Sequence, residues 1–528
     1  MVVFGMSKKP EALPDDPEEL KRIILATKSR YEKEIDLLRE QVRLLQAQMF
    51  GKKSEKGAAD AGAVQLPLFD MPEPEVEPEP EQVDIPSHQR RKPGRKKLPE
   101  NLPRETIVHD IAEQDKICGC GASLTCIGED ICEKLDIIPA VIRVIRHVRP
   151  KYSCKNCDGL DTEGPVVKIA PPPKQILTKS LATAGLLAYI LTAKFCDALP
   201  FYRQERQFDR IGVEISRANM CNWAMKVAAV CQPVLVLLKQ EIRSGPLINI
   251  DETTVQVLYE PGRAPSTKSY MWVCRGGPPD RPGLLYHYAP SRSAEVAKEL
   301  LAGYTGVVQS DGYAGYDFLD HVPEVYHAGC LAHARRKFTE AEKGLGKNKK
   351  AGSVDIALGY IRKIYAIEAE AGRKGITGEQ LLKLRRDKAR PLFDDFYKWL
   401  SKKSLQVVPK SLLGKAVSYT LNEWQRLLVY LEHPFMTPDN NMAENAIRPF
   451  VIGRKNWIFS GTPEGAKASA DLYSLIETAK ANNLEPYKYL RYLFEKIPFV
   501  EYEEDYRALL PVNLKAEQLL LAEKPTGV

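Results

Sequence analysis

The sequence has no apolar run long enough to cross a membrane. Its best stretch, Leu181 to Ala193, falls short of the roughly 20 residues a bilayer-spanning helix needs and is bounded by Lys179 and Lys194. The first ten residues, Met1 to Pro10, hold no hydrophobic signal core. These absences predict a soluble, intracellular protein with no membrane partner. Cysteine is sparse as well: 11 in 528 residues exclude a disulfide scaffold. Four of them, Cys118, Cys120, Cys154 and Cys157, form two tight pairs, the pattern of a metal site in a reducing compartment; the other seven lie among apolar residues and read as inert buried thiols. Excess charge is small, at +7, and no internal repeat is present. What is abundant is apolar residues, 44% of the chain, enough for three to five domains with cores of their own.

Residues 17–50 read as one long helix. Ile24, Tyr31, Leu38 and Leu45 recur every seven residues, with Ile35, Val42 and Met49 four places after the last three. That 4–3 alternation is a coiled-coil seam and predicts self-association; the alternative is an amphipathic helix lying on its own domain. Residues 51–104 read as a disordered linker of polarised charge. Asp70 to Asp84 contains seven acids and no base, and Arg90 to Arg104 seven bases and one acid. Within the basic run Arg91, Arg95 and Lys96 flank Pro93 and Gly94, an extended stretch suited to a narrow minor groove, with a plain solvated linker as the alternative. The acidic run beside it would compete with phosphate for those bases.

Residues 105–170 carry the cysteine pairs in strand-like sequence. Four thiolates there suit tetrahedral Zn²⁺, which would staple a domain with little core. Arg143, Arg146, Arg149 and Lys151 supply positive charge beside them. Residues 171–244 read as helical. A helix from Pro200 to Arg210, a turn at Ile211–Val213, and Ser216 capping Arg217–Val230 resemble a helix-turn-helix, with Arg217 at the start of the second helix. Residues 245–335 switch to strands at Leu247–Ile250, Val255–Tyr259, Ser269–Arg275, Leu284–Ala289 and Gly306–Gln309. Residues 336–438 are helical again, with apolar spacing at Ile356, Tyr360, Ile364 and Ile367, and residues 439–500 add further helices before a tail at 501–528. The whole is a multidomain α+β protein.

Two acids end apolar runs: Asp251, before a turn into the next strand, and Asp311, followed by Gly312. A third, Glu444, follows Asp439 and Asn440, either of which can cap a helix that carries it. Two strand-borne aspartates and a helix-borne glutamate suit two hard cations. Paired Mg²⁺ ions about 3.5–4 Å apart can activate an attacking oxygen and stabilise a leaving one. Glu252 and Glu477 are substitutes that spacing does not exclude. Downstream, Arg448, Arg454, Lys455 and Trp457 cluster within ten residues; they suit phosphate gripping and base stacking, or else form a solvated face with a core Trp. Arg335, Arg336 and Lys337 are weaker candidates for the same task. His327, Cys330 and His333 have ligand-like spacing without an evident fourth member, and packing or orientation of Asp311 explains them better.

The stretches Ile250–Thr253, Ser310–Tyr313, His327–Phe338, Asn440–Trp457 and Phe459–Ala470 resemble the transposases of the insertion sequence 66 family, and the resemblance runs from the helix ending at Met49–Lys56 to about Pro498. It implies a ribonuclease-H-like α/β core with an Asp-Asp-Glu triad at Asp251, Asp311 and Glu444, interrupted by a helical insertion. It further implies a bacterial mobile element with inverted terminal repeats and accessory proteins encoded beside it. The partners would then be double-stranded DNA of element ends and target, in the cytoplasm at the nucleoid. The implied reaction needs two Mg²⁺ or Mn²⁺ ions: water hydrolyses a strand at the element end, and the freed 3′-hydroxyl attacks target DNA. The family's zinc-finger-like region falls on the cysteine pairs, supported by Ile127–Asp130 and Arg149–Cys154, although one residue separates Cys118 from Cys120 where the family more often has two; Cys126 or Cys132 are replacements. The competing reading is a DNA-binding regulator or transposase relic without catalysis. Three acids in intact motifs separate the two, since a relic loses them.

Overall fold

The computed structural model describes residues 16–50, 142–153, 167–345 and 352–521. The zinc candidates Cys118, Cys120, Cys154 and Cys157, and the basic residues Arg91, Arg95 and Lys96, lie outside them. The chain divides into two compact units, Ser54–Ala170 and the remainder. In the first, strands β1 (Lys151–Ser153) and β2 (Val167–Ile169) pair antiparallel, and Arg149 donates to the carbonyl of Ala170 at 3.0 Å. Arg143, Arg146, Arg149 and Lys151 are all exposed.

In the larger unit, helix α1 spans Pro17–Phe50. It rests on its own domain through one face only: Leu44 packs against Ala341, Val354 and Leu412, and Glu40 accepts from the Leu412 N–H at 3.2 Å. The heptad residues Ile24, Tyr31, Leu38, Leu45, Ile35, Val42 and Met49 remain exposed. The alternative of a helix lying on its own domain holds for the Glu40 and Leu44 face.

Helices α2 (Ala184–Phe195), α3 (Phe201–Arg210), α4 (Arg217–Val230) and α5 (Gln232–Arg243) follow. The apolar run Leu181–Ala193 becomes α2, whose Leu187, Ala188, Ile190 and Leu191 are buried. Helices α3 and α4 form the expected pair, with the Ser216 hydroxyl accepting from Asn219 N–H at 3.3 Å. Phe201 and Phe208 of α3 and Met220, Trp223 and Val227 of α4 close the core, while Arg217, Asn219, Asn222 and Lys226 stay exposed. Among the described residues no single helix is long and apolar enough to cross a membrane; the bent pair α4–α5 passes by length and composition only.

The central sheet has the order β5-β4-β3-β6-β7, built from β3 (Leu247–Gln256), β4 (Lys268–Gly276), β5 (Gly283–Ala289), β6 (Gly306–Gln309) and β7 (Val325–Ala328). The first three strands run antiparallel in sequence, and β6 and β7 lie parallel to β3. This mixed sheet with helices around it is a mixed α/β architecture. Strand β3 corrects one expectation. No turn follows Asp251: β3 continues unbroken to Gln256, because β4 pairs with every residue from Asn249 to Gln256 and the β-branched Thr253 and Thr254 suit the ladder. The open edge at β5 is covered by helix α14 (Pro463–Ala481), whose Thr478 and Ser474 hydroxyls accept from the Leu284 and Tyr286 N–H groups at 2.9 and 2.8 Å.

Between β7 and the last acid stand α7 (Leu331–Gly344), α8 (Ser353–Arg373), α9 (Gly378–Leu384), a π-turn at Arg385–Ala389, α10 (Arg390–Ser404), α11 (Leu412–Asn422) and α12 (Trp424–Leu428). They share a core of their own, including Phe338, Ile361, Ile364, Phe393, Phe396 and Trp424, joined to the sheet at Leu247, Val307 and Ala328. On α8 the buried stripe is Val354, Ala357, Ile361, Ile364, Ile367 and Ala371; of the expected residues Ile364 and Ile367 lie in it, Tyr360 is half-buried and Ile356 is exposed. Helices α13 (Asn441–Trp457), α14 and α15 (Pro486–Lys496) then return to the sheet. The C-terminal segment expected as a tail forms α16 (Glu503–Ala508) and α17 (Ala516–Leu521), and its Leu509, Leu510, Val512 and Leu519 are buried in the main core.

Candidate active site

Strand pairing brings the first two acids together. Strands β3 and β6 pair in parallel with Leu247 opposite Val307, Ile248 opposite Val308 and Asn249 opposite Gln309. The pairing ends there; Asp251 and Asp311 each follow two residues later, and the Asp251 carboxyl feels the charge of Asp311. Because side chains alternate along a strand, Asn249 and Asp251 share a face of β3. Helix α13 packs against β3 and β4 and presents Glu444 in its first turn.

Three buried amides lock these carriers to one another. The Asn249 side chain donates from Nδ2 to Gln309 Oε1 at 2.9 Å and to Asn440 Oδ1 at 3.0 Å. Asn440 donates from its own Nδ2 to the Ile250 carbonyl at 2.9 Å, and Gln309 Nε2 donates to the carbonyls of Gly329 and Thr437 at 3.2 and 3.0 Å. All three are essentially inaccessible to water, where an unmade hydrogen bond is costly. Asn440 is therefore not the side-chain cap of α13; its amide is diverted to β3, and Asp439 Oδ1 takes the Asn441 N–H at 3.2 Å instead. Sequence reasoning assigned no role to Asn249 or Gln309. The available signal was an amide two residues before each aspartate inside an otherwise apolar strand.

The acids repel one another. Burial, then the neighbouring Glu252, Asp311 and Glu444, push the Asp251 carboxyl up to about 7, against one favourable contact, the Glu252 N–H donating at 2.8 Å. Among the described residues no cationic side chain pairs with Asp251. Asp311 accepts from the Tyr313 N–H at 3.0 Å and has Arg292 Nη2 at 3.7 Å. Glu444 has Arg336 Nη2 at 3.4 Å and His333 Nδ1 at 3.8 Å. The proposed substitutes are committed elsewhere. Glu252 is engaged by Arg292 and by the buried Tyr316 hydroxyl, and Glu477 on α14 pairs with Lys480 at 2.8 Å. Arg292, which also stacks on the Tyr313 ring with its guanidinium 3.8 Å from the centroid, is a second feature that the sequence did not reveal.

His327 and Cys330 brace the site. The His327 ring lies between Asp320, 2.8 Å from Nδ1, and Ser310, 2.9 Å from Nε2, next to Asp311 in the chain. The Cys330 sulfur accepts from Asn440 N–H at 3.2 Å, and burial pushes its thiol up to about 12, so it stays protonated. Of the downstream basic cluster, Arg448 and Lys455 are exposed. Arg454 instead reaches back to the Thr253 and Thr254 hydroxyls, each at 3.2 Å. Trp457 packs edge-on against Phe450 with its indole nitrogen buried, so it serves the core rather than presenting a free stacking face. Arg335 and Arg336 are exposed, and Lys337 lies 5.0 Å from the Tyr419 ring centroid.

Known proteins place the chain. Residues 179–468 match the family described as Transposase IS66 family, residues 37–107 match Transposase C of IS166 homeodomain, residues 115–158 match the zinc-finger binding domain of transposase IS66, and residues 474–512 match the IS66 C-terminal element. All four paired cysteines fall inside the zinc-finger match. Among curated proteins, the uncharacterized protein y4jD of Sinorhizobium fredii is 32% identical, covering 97% of this chain and 99% of its own length. The uncharacterized protein y4qI of the same organism is 30% identical over 78% of this chain and 76% of its own. Shared sequence along most of its length, with matches from the N-terminal helix to the C-terminal helices, means that the chain belongs to the IS66 family of transposases.

Proposed function

We infer that this chain is the DNA-cutting and DNA-joining enzyme of a bacterial mobile element, with Asp251, Asp311 and Glu444 as its catalytic acids. The observation that supports this reading is the buried amide cluster of Asn249, Gln309 and Asn440, which ties β3, β6 and the start of α13 together within two to four residues of the three acids. The sheet supports a ribonuclease-H-like core: three antiparallel strands followed by two parallel ones, with the first strand central.

The donor set fits hard divalent cations. Three crowded carboxylates, one of them pushed up to about 7 by burial and by its acidic neighbours, call for a counter-ion with oxygen preference. Asp251, Asp311 and Glu444 would hold two Mg²⁺ or Mn²⁺ ions, which supply Lewis-acid activation of the attacking and leaving oxygens of a phosphodiester. The chain's own residues do the rest. The buried amides hold the carboxylates at fixed separation, Arg448 and Lys455 extend the positive surface along α13 towards phosphate, and Arg292 sits beside Asp311 to meet the strand. The exposed face of α4, with Arg217, Asn219, Asn222 and Lys226, suits a major groove. Zinc held by Cys118, Cys120, Cys154 and Cys157 would order the smaller unit, whose exposed arginines suit phosphate. The exposed heptad face of α1 suits a second copy of this chain.

A strand-cleavage assay on element-end DNA with Mg²⁺ or Mn²⁺ tests the reading. Asp251→Ala, Asp311→Ala and Glu444→Ala should each abolish cleavage and joining while DNA binding persists. Undiminished cleavage in any one of them refutes this triad, and binding without any cleavage by the wild-type chain leaves a DNA-binding regulator.

A further inference from the structure

One imidazole nitrogen faces the carboxylates without a hydrogen bond. His333 lies in the first turn of α7, the helix that opens the insertion, and its Nδ1 is buried with no hydrogen bond. That nitrogen is 3.8 Å from Glu444 Oε1, and one ligand atom from each of His333, Glu444 and Cys330 falls within 4.8 Å of the others. The Cys330 sulfur is already engaged by the Asn440 N–H, and a soft sulfur donor is a poor match for hard cations. His333 Nδ1 is not engaged in this way. Its ring feels the charge of both Asp311 and Glu444, so it stands beside the same centre as the acids. The outer nitrogen, Nε2, is 3.4 Å from Arg336 Nη1, and Arg336 also lies 3.4 Å from Glu444. Arg336 is half exposed, and its guanidinium supplies the positive charge beside Glu444.

We propose that His333 Nδ1 is a direct ligand of the cation held by Glu444, making that site mixed nitrogen and oxygen rather than all-carboxylate. The inference rests on the catalytic role of the acids argued above. With Nδ1 on the cation, the ring proton resides on Nε2, and Arg336 swings away from both groups into solvent. A nitrogen donor favours a transition-metal ion over Mg²⁺, because imidazole binds Mn²⁺ well while Mg²⁺ keeps to oxygen and water. The Glu444 site therefore prefers Mn²⁺, and His333 sets that preference.

The test uses the full chain with Mn²⁺ and Mg²⁺ as probes, read by calorimetry and by pulsed electron paramagnetic resonance of bound Mn²⁺. Directly ligated nitrogen should appear in the resonance spectrum and change when the chain is made with ¹⁵N-histidine. In His333→Ala that signal disappears and Mn²⁺ affinity falls about 10-fold or more, while Mg²⁺ affinity stays within about twofold. Should that variant fail to fold, the labelled wild-type chain and Asp251→Asn decide between them: the nitrogen signal must be present in the first and weakened with the site in the second. Mn²⁺ binding that depends on Asp251 but shows no nitrogen, or an equal loss of both metals in His333→Ala, overturns the role of His333 and leaves the carboxylate site standing. Mn²⁺ binding indifferent to Asp251→Asn removes the carboxylate site itself, and this inference with it.

Discussion

Removing the charge of Asp251 should stabilise the metal-free protein while it destroys the chemistry. The Asp251 carboxyl, pushed up from 3.8 to about 7, pays a penalty on ionisation first from burial and then from Glu252, Asp311 and Glu444. A folded-state value above the unfolded one means the associated stability is complete below about pH 4 and is lost as pH rises through about 7. About three pH units at ~1.36 kcal/mol each set an upper bound near 4 kcal/mol, and partial solvent access reduces this to about 2 kcal/mol. Asp251→Asn keeps the shape and removes the ionisation. In chelator at pH 8 the variant should melt roughly 2–3 °C above wild type, and the gap should fall to under half at pH 5 and close near pH 4. Mn²⁺ should raise the wild-type melting temperature at pH 8 and leave the variant nearly unmoved. Calorimetry across pH 4–8 reads all of this, and the paired comparison cancels other buried acids such as Glu423. A variant that melts at or below wild type at pH 8, or a gap that ignores pH, refutes the crowding argument.

Asn440→Leu removes one corner of the amide lock, leaves Asn249 and the Ile250 carbonyl short of partners, and should cost about 2–4 kcal/mol together with a measurable loss of Mn²⁺ affinity; stability and affinity unchanged would show that the lock does not position the acids. Arg385 is buried, pairs with both oxygens of Glu368 at 2.9 and 2.8 Å, and donates to the carbonyls of Tyr430, His433 and Met436. Arg385→Leu should therefore cost about 3–5 kcal/mol in chemical denaturation, because Glu368 is left without its partner. Placing Asp at both Leu38 and Leu45 should reduce the assembly to monomers in sedimentation without altering Mn²⁺ binding at the acids. Deleting residues 70–84 should raise non-specific DNA affinity at low salt, since seven acids leave and the adjacent bases become free.

The three acids were legible because each follows a pattern that local chemistry enforces: an apolar run that stops, or a polar segment that opens a helix. The shape of the strand beneath Asp251 was not. Asp251 to Thr254 is polar enough to pass for a turn, and only the eight-residue ladder with β4 keeps it extended. Asn249 and Gln309 escaped notice for a related reason. A polar residue in a strand ordinarily faces water, and nothing local says that α13 will cover that face. Arg454 and Trp457 sit in a motif that reads as nucleic-acid contact. Their actual partners, Thr253, Thr254 and Phe450, depend on how α13 lies across the sheet. Periodicity located α8 and its buried Ile364 and Ile367 but took the exposed Ile356 for the same row, because the outer and inner faces both hold isoleucine.

A whole helical insertion separates Asp311 from Glu444, so the last acid reaches the site only if that insertion returns the chain with little positional freedom. Two features supply the constraint. The Arg385 guanidinium gathers three backbone carbonyls between Tyr430 and Met436, which fixes the exit of the insertion against its own core. Directly afterwards Thr437 and Asn440 are bound to Gln309 and to Asn249 and Ile250, which fix the entry of α13 against both aspartate-bearing strands. Loosening the first should soften Glu444 indirectly, by way of the second; loosening the second should displace it directly. The Asn440 variant should therefore lose more metal affinity per kcal/mol of lost stability than the Arg385 variant, an ordering that a purely global weakening of the fold would not produce.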